Sequence, residues 1–169
     1  MFWRERRQSA LLIALVASAL TNPVSALGAT DPSGMTADLE GRPIKLTDVS
    51  KYHCDDLDYP RIHCYRTESL RDASSAAGLA ALAASGTAYV IVWENGSYSG
   101  NSLIISQDYT VLATLAWNDR ISSFKVQNSQ SGRFWTDWFY GGTFYGFCCN
   151  QTVPTLGSFN DTFSSVYRM

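Results

Sequence analysis

Apolar and polar positions divide the chain into two regions with different patterns. From Thr87 to Met169 the sequence is rich in aromatic and β-branched residues, and turn residues interrupt it at short intervals. The run from Tyr89 to Trp93 is apolar at every position, so the strand that it predicts has apolar side chains on both faces. Short strands separated by frequent turns are typical of antiparallel sandwiches and barrels. We therefore predict an all-β domain at 87–169.

The residues before this domain predict a small mixed or helical extension, 27–86. Within it, 39–52 predicts a short strand followed by a helical turn with Thr47 as its cap. The alanine-rich segment 67–85 starts with a capping threonine and an early glutamate, a pattern that predicts a helix. We expect this helix to lean on another element or to act as a spacer, because its apolar positions are few. They are Leu70, Leu79 and Leu82, with several alanines.

The N-terminal segment, 1–26, predicts a signal peptide for export. Three arginines precede the apolar run Ala10 to Leu20, and Val24-Ser25-Ala26 offers the small residues that signal peptidases prefer. The apolar run is short for a membrane span, so cleavage is favoured over a membrane anchor. We therefore expect a secreted, extracellular protein that is monomeric and has no membrane contact after 1–26 is removed.

Two cysteines in the extension, Cys54 and Cys64, enclose a short segment and predict a disulfide, which an oxidising destination favours. His53 and His63 precede them, so a four-ligand zinc site is the alternative. The intervening segment predicts a solvated acidic loop, although its carboxylates also allow a metal site. These carboxylates are Asp55, Asp56 and Asp58.

The other two cysteines, Cys148 and Cys149, are adjacent in a strand-like run. Neighbouring side chains of a strand point to opposite faces, so a bond between these two would need a strained ring. Their state stays open between a vicinal disulfide, free thiols and an intermolecular link.

A six-residue pattern occurs twice, as NDRISS from Asn118 and again as NDTFSS from Asn160. Upstream of each copy stands an aromatic-x4-aromatic-x-Gly pattern, which we assign to WENGSYSG (93–100) and to FYGGTFYG (139–146). Each of these predicts a folded hairpin, because glycine permits a backbone conformation that a Cβ would forbid. The same elements in the same order predict two β units that pack against each other as a sandwich.

This doubled arrangement resembles the βγ-crystallin family, whose domain consists of two Greek-key motifs around a pseudo-twofold axis. The resemblance covers Thr87 to Met169, roughly half of the chain, and implies a double Greek-key sandwich. Within it, Ser123 and Ser165 match the serine that hydrogen-bonds the folded hairpin, so their expected role is structural.

The resemblance also implies Ca²⁺ as a bound cofactor, because microbial members bind calcium through Asn/Asp-Asn/Asp-x-x-Ser/Thr-Ser and both copies match that signature. It implies two interlocked sites, since each loop contributes to both ions in the family. Calcium prefers several oxygen ligands, and a site with about one carboxylate should bind weakly, in the range of about 10⁻⁴ to 10⁻³ M. The alternative is that Asn-Asp and Ser-Ser serve only as turn residues. The implied ligands are the side chains of Asp119, Asp161, Ser122 and Ser164 and the main-chain carbonyls of Glu94, Arg120, Tyr140 and Thr162.

Other function classes find less support. A net charge of −2 argues against a nucleic-acid surface. We expect no enzyme, because nucleophile elbows, zinc-protease helices and phosphate loops are missing from the sequence. A calcium-dependent module is the first interpretation. The alternative is a secreted proteinase inhibitor or antimicrobial toxin-like protein on the same fold, with an extracellular proteinase as partner and Cys148 to Gly157 as the candidate loop.

Overall fold

The structure, a computed structural model, describes residues 33–169; the predicted signal peptide and the first residues of the extension lie outside this range. The first part of the described chain contains four strands and a helix: β1 (Thr36–Leu39), β2 (Arg42–Ile44), β3 (His53–Asp58), β4 (Arg61–Tyr65) and α1 (Glu68–Ser85). The second part contains seven strands: β5 (Tyr89–Asn95), β6 (Ser99–Ile105), β7 (Ser123–Gln127), β8 (Gly132–Trp135), β9 (Phe144–Phe147), β10 (Thr152–Val153) and β11 (Ser165–Arg168).

The strands from β5 onward form two facing sheets that exchange segments. One sheet carries β10-β7-β5-β6, and the other carries β11-β8-β9. β10 belongs to the second repeat but pairs with β7 of the first. In return, Tyr109 of the first repeat bridges to Val166 in β11 of the second. This reciprocal exchange is the connectivity of two Greek keys, so the predicted all-β double Greek-key sandwich is confirmed.

Aromatic rings fill the space between the two sheets. The Phe124 and Phe134 ring centroids lie 5.3 Å apart, and Phe134 stacks on Phe163 at 5.1 Å. Phe124, Phe134 and Phe163 are fully buried. Burying each such side chain contributes about 1.5–3 kcal/mol relative to exposure, so this cluster is a main source of the domain's stability. Other rings in the cluster are Tyr145, Phe147 and Phe159.

The extension continues the first sheet beyond β6. β3 pairs in parallel with β6, and the sheet then runs on through β4, β1 and β2. Cys54 in β3 faces Cys64 in β4, and the two form the predicted disulfide. The zinc alternative is wrong, because both sulfur atoms are bonded to each other. The predicted acidic loop is also wrong, since its carboxylates lie on strand β3.

Helix α1 packs on the strands of the extension through a face that mixes polar and apolar side chains. Its cap is as predicted, since the Thr67 side chain accepts a hydrogen bond from the Leu70 amide at 3.2 Å. The expected apolar positions are partly confirmed: Leu79 and Leu82 are half-buried on the same side of the helix as the buried Arg71 and Ser75, whereas Leu70 is 47% exposed. Arg71 and Ser75 stand four residues apart and therefore share one face of the helix. In the described part of the chain, no helix has the length and apolar character needed to cross a membrane.

The helical turn after β2 differs in detail from its prediction. It is a 3-10 helix at Leu46–Lys51, and Lys45 holds the N-cap position without a side-chain hydrogen bond. The predicted Thr47 cap is therefore wrong. Thr47 lies inside the helix, because β2 ends at Ile44 and only Lys45 separates it from the first helical residue.

Candidate metal centre

The first folded hairpin lies where the sequence predicts it. Between Trp93 and Gly100 the backbone turns with positive φ at Ser97 (57°), Tyr98 (58°) and Gly100 (77°). The Trp93 and Tyr98 rings meet edge to face, with centroids 5.4 Å apart. A Cβ at Gly100 would lie 2.5 Å from the Asn95 side-chain nitrogen, so glycine is required there.

The second folded hairpin lies four residues before its predicted position. The positive-φ residues are Phe139 (56°), Tyr140 (62°) and Gly142 (73°), so the hairpin runs from Trp135 to Gly142. Its sequence, WTDWFYGG, also reads aromatic-x4-aromatic-x-Gly. Trp135 follows Trp93 at the same interval that separates the two NDxxSS copies. The assignment to FYGGTFYG is therefore wrong.

One serine in each repeat fastens its hairpin, in the structural role that the resemblance implies. The Ser123 hydroxyl donates to the Asn95 carbonyl at 2.7 Å and accepts from the Tyr98 amide at 3.1 Å. Ser165 makes the corresponding pair of bonds with Asp137 and Tyr140, at 2.7 and 3.1 Å. We call this pair of bonds the serine lock.

The new position of the second hairpin changes which main-chain carbonyl is the predicted ligand there. Glu94 follows Trp93, so its equivalent in the second repeat is Thr136, which follows Trp135. Tyr140 is the equivalent of Tyr98, the residue held by the serine lock. Sequence reasoning missed Thr136, although the constant interval between the repeats contained the signal.

The two Asn-Asp turns cross each other. The Asp119 amide donates to the Phe163 carbonyl at 2.9 Å, and the Asp161 amide donates to the Ile121 carbonyl at 3.1 Å. Both aspartates have a φ of 53°, a left-handed conformation that suits Asp in turns. Each loop thus holds the backbone of its aspartate against the other repeat. Symmetric bonds also orient the carboxylates, from Asn118 to Asp119 (2.6 Å) and from Asn160 to Asp161 (2.7 Å).

Three oxygen atoms from three loops converge at the buried Ser122 hydroxyl. This hydroxyl lies 2.8 Å from the Glu94 carbonyl oxygen and 2.7 Å from the Asp161 carboxylate oxygen Oδ1. A hydroxyl has a single proton, so it can donate to only one of these two acceptors at a time. Two acceptors and one hydroxyl at such distances form a donor set for a hard cation.

The corresponding residues of the second loop pair are Thr136, Ser164 and Asp119. Ser164 is buried, and its amide donates to the Trp135 carbonyl at 2.8 Å, as the Ser122 amide does to Trp93 at 3.0 Å. No hydrogen bond joins the Ser164 hydroxyl to another described residue. The backbone hydrogen bonds are therefore repeated, but the Ser164 hydroxyl and the Asp119 carboxylate are not hydrogen-bonded to each other, unlike Ser122 and Asp161.

Charge also distinguishes the two loop pairs. The Arg120 guanidinium donates to the Glu94 carboxylate at 2.6 Å, beside the Glu94 carbonyl of the first set. At the equivalent positions of the second set are the neutral residues Thr162 and Thr136. The Thr162 hydroxyl donates to the Phe159 carbonyl at 2.8 Å. A cation at the first set would therefore meet an adjacent ion pair, and one at the second set would not.

The acidic residues of the extension take structural positions. Asp56 is fully buried and accepts bonds from the Ser106 amide, the Gln107 amide and the Tyr109 hydroxyl, at 2.6, 3.2 and 2.9 Å. Its burial raises its pKa to about 6, against these hydrogen bonds, which lower it. Burial also raises the pKa of Asp55, which accepts from Ser75 at 2.7 Å.

A conventional metal cluster does not arise from these carboxylates. Among residues 33–169, no group of three or more His, Cys, Asp or Glu side chains could hold a metal ion. The candidate centre at Ser122 has a different composition, since it combines a single carboxylate with a hydroxyl and a carbonyl oxygen.

The candidate inhibitory loop, Cys148 to Gly157, is partly integrated into the domain. It contains strand β10, and Val153 and Leu156 are buried. The Pro154 carbonyl accepts from the Ser97 amide of the first hairpin at 2.8 Å. Only part of the segment is therefore exposed for contact with another protein.

Several solved structures are similar to about half of this chain. A βγ-crystallin from an archaeon is 28% identical, with a TM-score of 0.45, over 49% of this chain and 99% of its own. A βγ-crystallin from Ciona intestinalis is 25% identical, with a TM-score of 0.44, over 48% and 99%. A βγ-crystallin domain from Clostridium beijerinckii is 23% identical, with a TM-score of 0.41, over 47% and 95%. No protein-family model matches the chain, and no curated protein does either.

The internal geometry carries the family resemblance by itself. Two folded hairpins, two serine locks and two crossed Asn-Asp turns recur at one constant interval along the chain. They lie on two sheets that exchange one segment each. The predicted resemblance is thereby confirmed for this half of the chain: residues 87–169 form a βγ-crystallin-like domain.

Proposed function

We propose that the βγ-crystallin-like domain binds two Ca²⁺ ions at its crossed loops and is stabilised by them. The observation that supports this most directly is the position of the Glu94 carbonyl oxygen and the Asp161 carboxylate, at 2.8 and 2.7 Å from the same Ser122 hydroxyl. These atoms come from a hairpin, its own NDxxSS loop and the loop of the other repeat. A cation there would accept lone pairs from all three oxygens, while the Ser122 hydroxyl keeps its proton and points it away from the ion.

The ligand sets follow from the crossing of the loops. The first site takes Glu94, Ser122 and Asp161, and the second takes their equivalents Thr136, Ser164 and Asp119. The Thr136 carbonyl replaces that of Tyr140 in this assignment. The carbonyls of Arg120 and Thr162 remain further predicted ligands. Because each carboxylate belongs to the opposite loop, we expect the two sites to be interlocked.

The chemistry of these sets favours calcium over magnesium. Calcium accepts six to eight oxygen ligands in flexible geometry, including carbonyls and water, whereas magnesium demands compact octahedral geometry and retains its waters. One carboxylate per ion gives a low-charge site, so we expect a Kd of about 10⁻⁴ to 10⁻³ M. Such an affinity would suit an extracellular module, in keeping with the predicted export signal and the disulfide.

Calorimetric titration of the chelator-treated protein with Ca²⁺ tests the proposal. We expect two equivalents of weak binding and a higher melting temperature. At tenfold excess over Kd, each site adds about 1.4 kcal/mol of stability, because the ion binds the folded state alone. Mg²⁺ should give a smaller shift at the same concentration.

Paired variants test the ligand assignment. Asp161→Ala and Asp119→Ala should each weaken both sites, since the loops are interlocked, while Ser122→Ala should be milder. Asp58→Ala removes an equal charge from a side chain that is 71% exposed in the extension, and it should leave calcium binding unchanged. No heat of binding up to about 10 mM Ca²⁺, beyond the extracellular range, would reject the proposal and leave NDxxSS as turn chemistry.

The proteinase-inhibitor alternative stays a prediction. An inhibition assay with a thermolysin-type proteinase separates it from the calcium proposal, because a protein can inhibit a proteinase without binding calcium itself. Substitution of Pro154 by Gly in the candidate loop should reduce inhibition if that loop docks, since docking favours a rigid segment. Loss of calcium binding in Asp161→Ala with unchanged inhibition would show that the two activities are independent.

A further inference from the structure

The two adjacent cysteines lie in a tight turn and not in a strand. Strand β9 ends at Phe147, and the Gln151 amide donates to the Cys148 carbonyl at 3.0 Å. Cys149 and Asn150 both have a φ of 62°, so this is a type I′ turn with the two positive-φ residues at its centre. The predicted strand-like run is wrong here, and the expectation of opposed side chains fails with it.

A second type I′ turn holds the first in place. It connects β7 to β8, with φ of 53° at Asn128 and 58° at Ser129. The Gln130 carbonyl that follows it accepts from the Cys149 amide at 3.1 Å. In return the Ser129 amide donates to the Asn150 side-chain oxygen at 2.8 Å. The backbone that carries the cysteines is thus fixed from two sides.

The same support fastens a third sulfur-containing residue, Met169. Its amide donates to the Ser131 carbonyl at 2.8 Å, and its carbonyl accepts from the Gln130 side-chain amide at 3.1 Å. Residues Cys148, Cys149 and Met169 line one open groove of about 750 Å³. All three are exposed, and both cysteines are free thiols.

We propose that Cys148, Cys149 and Met169 form a binding site for monovalent copper. Thiolate and thioether sulfurs are soft ligands, and they select Cu(I) over hard cations such as Ca²⁺ and Mg²⁺. Turn and backbone hydrogen bonds fix the main chain of the three residues before any ion arrives, so only their side chains must be ordered on binding. The site lies outside the crossed loops and is independent of the calcium proposal.

Protons compete with the ion at this site. Copper binds the thiolate form, so binding releases protons and the affinity should fall as the pH falls.

Anaerobic competition of the purified protein with bicinchoninate for Cu(I) tests the site. A thiol titration under native conditions should first find two free thiols per chain, because Cys54 and Cys64 are joined. We expect one equivalent of Cu(I) per chain at pH 7 and weaker binding at pH 5. Cys148→Ser and Cys149→Ser should each reduce the affinity at least a hundredfold, and Met169→Leu, which keeps the apolar volume, about tenfold.

Asp161→Ala is the matched control, since it alters the calcium loops and should leave Cu(I) binding unchanged. Native protein without titratable thiols, and lighter by two hydrogen atoms than the dithiol, would contain a vicinal disulfide and overturn the proposal. Equal Cu(I) affinity in the parent and either serine variant would overturn it too. Equal affinity in Met169→Leu would overturn the three-sulfur site.

Discussion

The two Greek-key repeats share their local structure but differ in their surroundings. In the first repeat, the edge of β6 pairs with β3 of the extension, and the buried Trp93 indole donates to Glu68 of α1 at 3.0 Å. In the second repeat, β9 is the edge of its sheet. The hairpin beside it exposes 53% of Trp138 and 70% of Phe139. Repeated sequence thus produces equivalent folds, while the asymmetry comes from residues outside the repeat.

Besides the pairing of β3 with β6, a buried carboxylate connects the extension to the first repeat. Asp56 of β3 accepts three hydrogen bonds from Ser106, Gln107 and Tyr109, in the segment that follows β6. All three donors belong to the crystallin-like domain. The extension therefore completes a polar network of the first repeat as well as extending its sheet.

Removing the extension should have the largest effect on stability, because it removes the contacts that only the first repeat has. We predict that 87–169 alone unfolds cooperatively, since each repeat supplies a packing surface for the other. Its stability should be at least about 3 kcal/mol below that of 33–169, because the β6 edge and the donors to Asp56 lose their partners. Urea unfolding of both chains measures the difference. A truncated chain without near-ultraviolet circular dichroism would show that the extension completes the core.

Asp56→Ala should isolate the polar part of that contribution. It leaves three buried donors without an acceptor, so we expect a loss of about 3 kcal/mol in the free energy of unfolding. Asp58→Ala on the same strand is the control, since its side chain is 71% exposed. This control should cost less than about 0.5 kcal/mol. Equal losses in urea unfolding would contradict a special role for Asp56.

The charge of Asp56 should appear in the pH dependence of stability. Its pKa rises from 3.8 to about 6 on folding, so the folded state binds a proton that the unfolded state releases. The stability due to Asp56 should therefore fall as the pH rises from about 4 to about 6 and level off above that. Asp56→Asn cannot titrate at this position. As the pH rises across this window, the free energy of unfolding of the variant should therefore increase relative to that of the parent. A pH-independent difference would contradict the raised pKa.

The serine locks provide the smallest and sharpest test of the comparison. Ser123→Ala and Ser165→Ala each remove one donor and one acceptor from a fully buried position. We expect a loss of about 1–2 kcal/mol in each case, equal within about 0.5 kcal/mol, because the repeat alone defines the bonds. Thermal or urea unfolding of the two variants measures this. A clearly milder Ser123→Ala would mean that the extension supports the first hairpin.

The sequence predicted the features that depend on local chemistry. The Thr67 cap, the first hairpin and the Cys54–Cys64 disulfide were all readable, because each requires particular residues at short spacing. The double Greek key was predictable because its signals occur twice. The second hairpin was misplaced because Phe139 to Gly146 fits the same aromatic and glycine pattern by chance as well as Trp135 to Gly142 does.

Features that depend on distant partners could not be predicted. Nothing in the composition of His53 to Asp58 indicates that this segment pairs in parallel with β6. Consecutive aspartates read as a solvated loop, since burial of a carboxylate is costly without donors. The donors to Asp56 stand far along the chain from it, and only the fold brings them together. The proposed Thr136 ligand was missed for another reason: the second hairpin was placed four residues too far along the chain, although the constant interval between the repeats contained the signal.

The parallel pairing of β3 with β6 has a consequence for the order of folding. β3 pairs with β4 and β1 with β2, so the extension can form most of its bonds from neighbouring segments. Its attachment to β6 joins His53 to Ser102 and must wait until β6 exists. On a ribosome the extension emerges before the two repeats, and β3 has a free strand edge until β6 of the first repeat arrives. Early oxidation of Cys54 and Cys64 would hold β3 and β4 in register during that interval.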